Sequence, residues 1–111
     1  MPVAQGWLRA SHRALDHEQS RPFLPVHRHD RAEPLNPGTV YELDVEILPT
    51  SLVPPAGYTL TLDVQGHDYG PGSFPHNDPR DRPADVYGGT VTLHTGPEHA
   101  SCLLLPVIRS R

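Results

Sequence analysis

The chain has 111 residues, enough for one domain and not for a catalytic domain plus a binding domain. Its fourteen prolines and nine glycines, about a fifth of the residues, exclude a helical bundle and favour strands joined by turns. Nine basic residues against thirteen acidic ones give a formal charge of -4, which excludes a basic footprint for DNA or RNA.

In chain order, residues 6–10 are expected to form a short strand around Trp7 and Leu8. Residues 11–38 show no usable period and contain Pro22, Pro25, Pro34 and Pro37, so they read as a long loop. Residues 39–48 alternate strictly: Tyr41, Leu43, Val45 and Ile47 point one way and Glu42, Asp44 and Glu46 the other. That is a half-buried strand with an acidic outer face. Residues 49–57 form a wide turn, in which prolines withhold ladder donors and Gly57 permits a positive φ. Residues 58–65 alternate again, with Tyr58, Leu60, Leu62 and Val64 inward. A second long, proline-rich loop, 66–88, leads to a weaker strand at 89–94 and to 101–108, an almost continuous apolar run of the kind buried on both faces of a central strand. The expected fold class is therefore all-β.

Cys102 is the only cysteine, so no internal disulfide forms and no Cys cluster exists to hold zinc or iron and sulfur. Within the apolar run it is expected to be a buried, inert thiol, and the default compartment is reducing and cytoplasmic. Neither the N-terminal residues nor any other stretch supplies a signal-peptide core or the roughly 18 apolar residues of a membrane span. Neither a membrane nor nucleic acid is an expected partner.

His27-Arg28-His29, followed by Glu33, has the spacing with which a cupin jelly roll holds a divalent metal, since two imidazoles and a carboxylate cap one face of such an ion. The glycines that flank the cupin pattern are replaced here by Arg21 and Val40, and Pro34 directly follows Glu33. No metal site is therefore expected at His27, His29 and Glu33. Ser73 lies near Gly70 and Gly72 but lacks the spacing of a nucleophile elbow, and His67, Asp68, His76 and Asp78 read as polar turn residues of a Gly- and Pro-rich loop. Trp7 is expected to pack rather than to bind sugar. No catalytic, cofactor-binding or metal residue is assigned, and no cofactor is expected.

Several ordered segments carry a resemblance. Gly6-Trp7-Leu8-Arg9-Ala10-Ser11-His12-Arg13 is followed by Pro34-Leu35-Asn36-Pro37-Gly38-Thr39-Val40-Tyr41-Glu42-Leu43-Asp44-Val45-Glu46-Ile47, then by Pro49-Thr50-Ser51 and Gly57. His94-Thr95-Gly96-Pro97-Glu98-His99 then leads into Leu103-Leu104-Leu105-Pro106-Val107-Ile108. Together they resemble the C-terminal domain of X-Pro dipeptidyl-peptidase-like hydrolases, a group that includes cocaine esterase and related acyl esterases. The resemblance implies an antiparallel jelly-roll β-sandwich, similar to galactose-binding domains, that is not itself catalytic and accompanies a separate α/β-hydrolase domain bearing a Ser-His-Asp triad. It begins at the middle of the family's sandwich, so residues 1–111 are expected to be a single β-sandwich domain or part-domain, its C-terminal half. No triad residue carries over.

The implied partner is the α/β-hydrolase catalytic domain or chain, or a second copy meeting it through exposed strands. Ordering each residue costs roughly 1–2 kcal/mol of backbone entropy, so an incomplete sandwich is expected to associate or partly melt when alone. Two other classes stay open: a cupin-like metal-binding jelly roll and a small carbohydrate-binding module. The substrate of the parent hydrolase and the role of loop 66–88 are not legible in the residues.

Overall fold

Pro-Gly and Ala-Gly pairs set the turns in the first half of the chain. In the computed structural model, which describes residues 2–66, 83, 85 and 88–109, Gly38 has φ 79 and Gly57 has φ 88. Each occupies the third position of a four-residue turn. The Thr39 N–H donates to the Asn36 carbonyl (3.2 Å) and the Tyr58 N–H to the Pro55 carbonyl (3.2 Å). A positive φ at that position is the requirement of a type II turn, which glycine meets without a Cβ penalty.

The chain divides into two compact units, Met1–Tyr58 and Thr59–Arg111. In the first, the short 3-10 helix Ala10–His12 is the one helix with defined bounds among the described residues. It occupies the end of the segment expected as a strand over 6–10. The arm preceding it nevertheless runs beside 46–48, where the Leu48 N–H donates to the Gln5 carbonyl (2.9 Å). Gly6 abuts this partner so closely that a Cβ on it would collide with the Glu46 carbonyl oxygen and stand 3.0 Å from Ile47 Cα. Only a residue without a side chain lets the two backbones approach in this way.

Residues 11–33, expected as a loop without period, instead form an irregular hairpin held by its own backbone. Asp16 N–H donates to the Val26 carbonyl (2.7 Å), Arg28 N–H to that of Ala14 (2.9 Å) and Glu33 N–H to that of Ser11 (2.7 Å). Leu15 and His27 make an isolated antiparallel bridge between the first two of these bonds. The tip is closed at Arg21-Pro22-Phe23-Leu24, where Arg21 and Leu24 exchange hydrogen bonds of 2.9 and 3.0 Å. Proline at the second position of that turn presets its φ.

Side chains complete the hairpin. One carboxylate oxygen of Asp16 accepts the N–H groups of Glu18 (3.0 Å) and Gln19 (3.1 Å), and the other accepts from the Gln19 side-chain amide (3.1 Å). Ser20 accepts the Val26 N–H at 2.9 Å and donates to the Val26 carbonyl at 3.2 Å, standing in for a ladder pair. Short Asp and Ser side chains compete for backbone groups in this way wherever the chain departs from regular structure.

None of the described residues is fully buried. The half-buried ones all fall between positions 4 and 46, clustered in 10–16 and 24–27. Residues 39–48, 58–65, 89–94 and 101–108 carry no strand ladder in the described structure, and apart from the half-buried Tyr41 the apolar rows predicted to face inward are open to solvent: Leu62 is 54% exposed and Leu104 62%. Alternation assigns apolar residues to one face, but a strand exists only with a hydrogen-bonded neighbour. In the second unit the Ser101 hydroxyl donates to the His94 carbonyl (2.9 Å), a local contact beside an edge-on pair of His94 and His99 rings 5.1 Å apart.

Candidate functional site

The end of the hairpin nearest the 3-10 helix gathers the most side-chain chemistry. Arg13, its side chain 17% exposed, is the hub. Its guanidinium donates to the Ala10 carbonyl (3.1 Å) and to the Glu33 carbonyl (2.8 Å), and lies 3.7 Å from the Glu33 carboxylate. It also stacks over the Tyr41 ring, 4.3 Å from the centroid. The fork geometry of guanidinium serves several acceptors at once, while the aromatic face receives the remaining positive charge. Arg13 thus ties the 3-10 helix, the far arm of the hairpin and the segment at 41 into one cluster.

Glu33 is consumed by this arrangement. Besides Arg13, its carboxylate accepts from Arg31 Nε at 2.9 Å and pairs with a second Arg31 nitrogen at 2.8 Å. His27 and His29 do come near each other, with ring centroids 5.9 Å apart, and His12 lies 6.0 Å from His29. Among the described residues, no three of His, Cys, Asp and Glu are placed to hold a metal ion.

Ser73, His67, Asp68, His76 and Asp78, all on loop 66–88, lie outside the described residues. Cys102 is exposed, contrary to the buried thiol expected from its apolar run, because no layer of the described structure covers that run. Trp7 is 41% exposed. Among the described residues, no helix is long and apolar enough to cross a membrane.

Spacing singles out His27, His29 and Glu33 but gives no sign that His12 and Arg13 belong to the same cluster. They are separated from it by more than a dozen residues, and only the antiparallel run of the two arms makes them neighbours. Their one visible signal was the Ser11-His12-Arg13 end of a segment noted for its resemblance alone.

The cluster holds imidazoles and paired arginines, and the Ser11 hydroxyl shares a hydrogen bond with His12 Nδ1 at 3.2 Å. No curated protein and no solved structure matches the chain. A family model does, over residues 1–104 of the 111: that of the X-Pro dipeptidyl-peptidase C-terminal non-catalytic domain. The chain belongs to that family, and the organising cluster around Arg13 is part of a non-catalytic domain.

Proposed function

We propose that this chain is the accessory C-terminal β-sandwich portion of a serine hydrolase of the X-Pro dipeptidyl-peptidase and cocaine-esterase-like group, and that it supports a separate α/β-hydrolase catalytic domain. The observation that carries the proposal is the family match across 1–104. The second unit supports it physically. Rows such as Leu60, Leu62 and Val64 have the alternation of strands in an antiparallel sandwich, yet are 54% to 64% exposed. Apolar rows of this period gain about 25 cal/mol per Å² when covered, and a sandwich covers them by laying a second sheet across them. A jelly roll completed by strands of the hydrolase would supply that sheet.

The role is structural, because a hydrolase site needs nucleophile, base and oxyanion donors within hydrogen-bond reach of one another. The test has two arms. The isolated chain is expected to show no turnover of aminoacyl-proline or acyl-ester chromogenic substrates, and to gain amide protection in residues 58–65 and 101–108 when the hydrolase domain is added or fused. Turnover lost on Ser73→Ala would overturn the proposal. So would a monodisperse monomer with a sharp unfolding transition above about 60 °C that ignores the hydrolase domain.

A further inference from the structure

Two imidazoles close on each other across the turn 94–99. The sequence there, His94-Thr95-Gly96-Pro97-Glu98-His99, puts a histidine at each end. Gly96 reverses the chain at φ 111, a value that residues with a Cβ rarely adopt, and Pro97 fixes the φ that follows. The Ser101 hydroxyl donates to the His94 carbonyl at 2.9 Å and so pins the start of the turn to the segment that leaves it. The two rings come to 5.1 Å, centroid to centroid, with 61° between their planes. Both residues are exposed, and among the described residues no hydrogen bond or ion pair engages either ring.

That separation is the one a shared metal ion requires. Zinc takes an imidazole nitrogen at ~2.0–2.1 Å with tetrahedral angles, so with each ring centre ~1.2 Å beyond its nitrogen, two bound rings stand ~5.2 Å apart. The His12–His29 and His27–His29 pairs, at 6.0 and 5.9 Å, are too wide. They would open the angle at the ion to roughly 130° or more. The His94 and His99 rings lie edge-on, and rotation about the broad χ2 torsion turns a nitrogen of each toward the other without moving the backbone. Among the described residues no further His, Cys, Asp or Glu completes a set of three with them, so water takes the remaining positions on the ion.

We propose that His94 and His99 are a zinc-binding pair, and that the bound ion is a clip across the 94–99 turn. Imidazole suits a borderline ion such as zinc, and the near-tetrahedral spacing favours it over copper(II), which prefers square-planar ligands. The turn joins 89–94 to 101–108, two apolar segments that remain open to solvent, with Leu93 61% and Leu105 49% exposed. An ion shared by the two ends of the turn removes the entropy of closing it, and so holds the segments as neighbours ready to pair. No catalytic domain is needed for this site.

The experiment is a zinc titration of the untagged, chelator-stripped full chain, followed by calorimetry and by the imidazole resonances in NMR. One equivalent of zinc is expected to bind and to move the rings of His94 and His99 ahead of every other histidine. Because both residues are exposed, replacing either leaves packing undisturbed. His94→Ala or His99→Ala should weaken zinc binding at least about tenfold, and Gly96→Val, which keeps both ligands but strains the turn, at least about threefold. Cys102→Ser and His29→Asn, which remove the exposed thiol and the centre of the other imidazole cluster, should stay within about twofold of wild type. Zinc should also raise amide protection over 101–108 in wild type and not in His99→Ala. The proposal is overturned by the lack of saturable zinc binding, by a first equivalent that survives His94→Ala but is lost in Cys102→Ser or His29→Asn, or by binding that leaves protection over 101–108 unchanged.

Discussion

The two units use apolar and polar residues in opposite ways. In Met1–Tyr58, a stretch without hydrophobic period is organised by Asp16, Ser20 and Arg13, each spending its side chain on backbone groups. In Thr59–Arg111, well-patterned apolar segments remain open to solvent. Side-chain-to-backbone bonds over a few residues close locally and need no partner. Strand pairing is non-local, so its pattern stays unspent until a neighbouring strand and a covering face are present.

The largest loss is expected at Gly6. Gly6→Val puts a branched side chain against the Glu46 carbonyl, and the first unit should lose about 3 kcal/mol, seen as a collapse of amide protection at Leu48. Next is Arg13→Met, which keeps much of the stem and removes the bonds to Ala10 and Glu33. A loss of about 2 kcal/mol in denaturant unfolding of the first unit is expected, and Arg13→Lys should recover less than half of it, because an ammonium lacks the planar fork. Ser20→Ala should cost about 1 kcal/mol, since the Val26 N–H then has to find water.

Leu62→Ser in the isolated chain should change stability by less than about 0.5 kcal/mol, as for any exposed position. In the presence of the hydrolase domain the same change should cost about 2 kcal/mol or more, because the residue is then covered. Equal small effects in both settings would mean that residue 62 faces solvent in the assembled enzyme as well.

Turn chemistry was legible in the residues wherever one backbone position decided it. Gly57 was expected to use a positive φ and does so at 88, following prolines that keep the segment out of any ladder. The hairpin at 11–33 was not legible, because its backbone bonds and the Asp, Ser and Arg side chains that complete them follow no period, and Pro22 and Pro25 made the stretch resemble a plain connection. At the candidate cluster, His27, His29 and Glu33 stood out by spacing, but spacing could not show that Arg13 and Arg31 claim Glu33 from opposite sides.

Composition and order of residues by themselves determined the turn with a positive φ at Gly57, the apolar rows of 39–48 and 58–65, and the family to which residues 1–104 belong. These follow from φ restrictions and from periodicity, which act within a few neighbours. Only the tertiary structure decided that Gly6 must lie against Glu46, that Cys102 is exposed, and that His12 joins His27 and His29. Each of those depends on which distant segment lies alongside, and an antiparallel approach of two arms is set by the sum of many weak bonds rather than by any residue that a reader of the chain could single out.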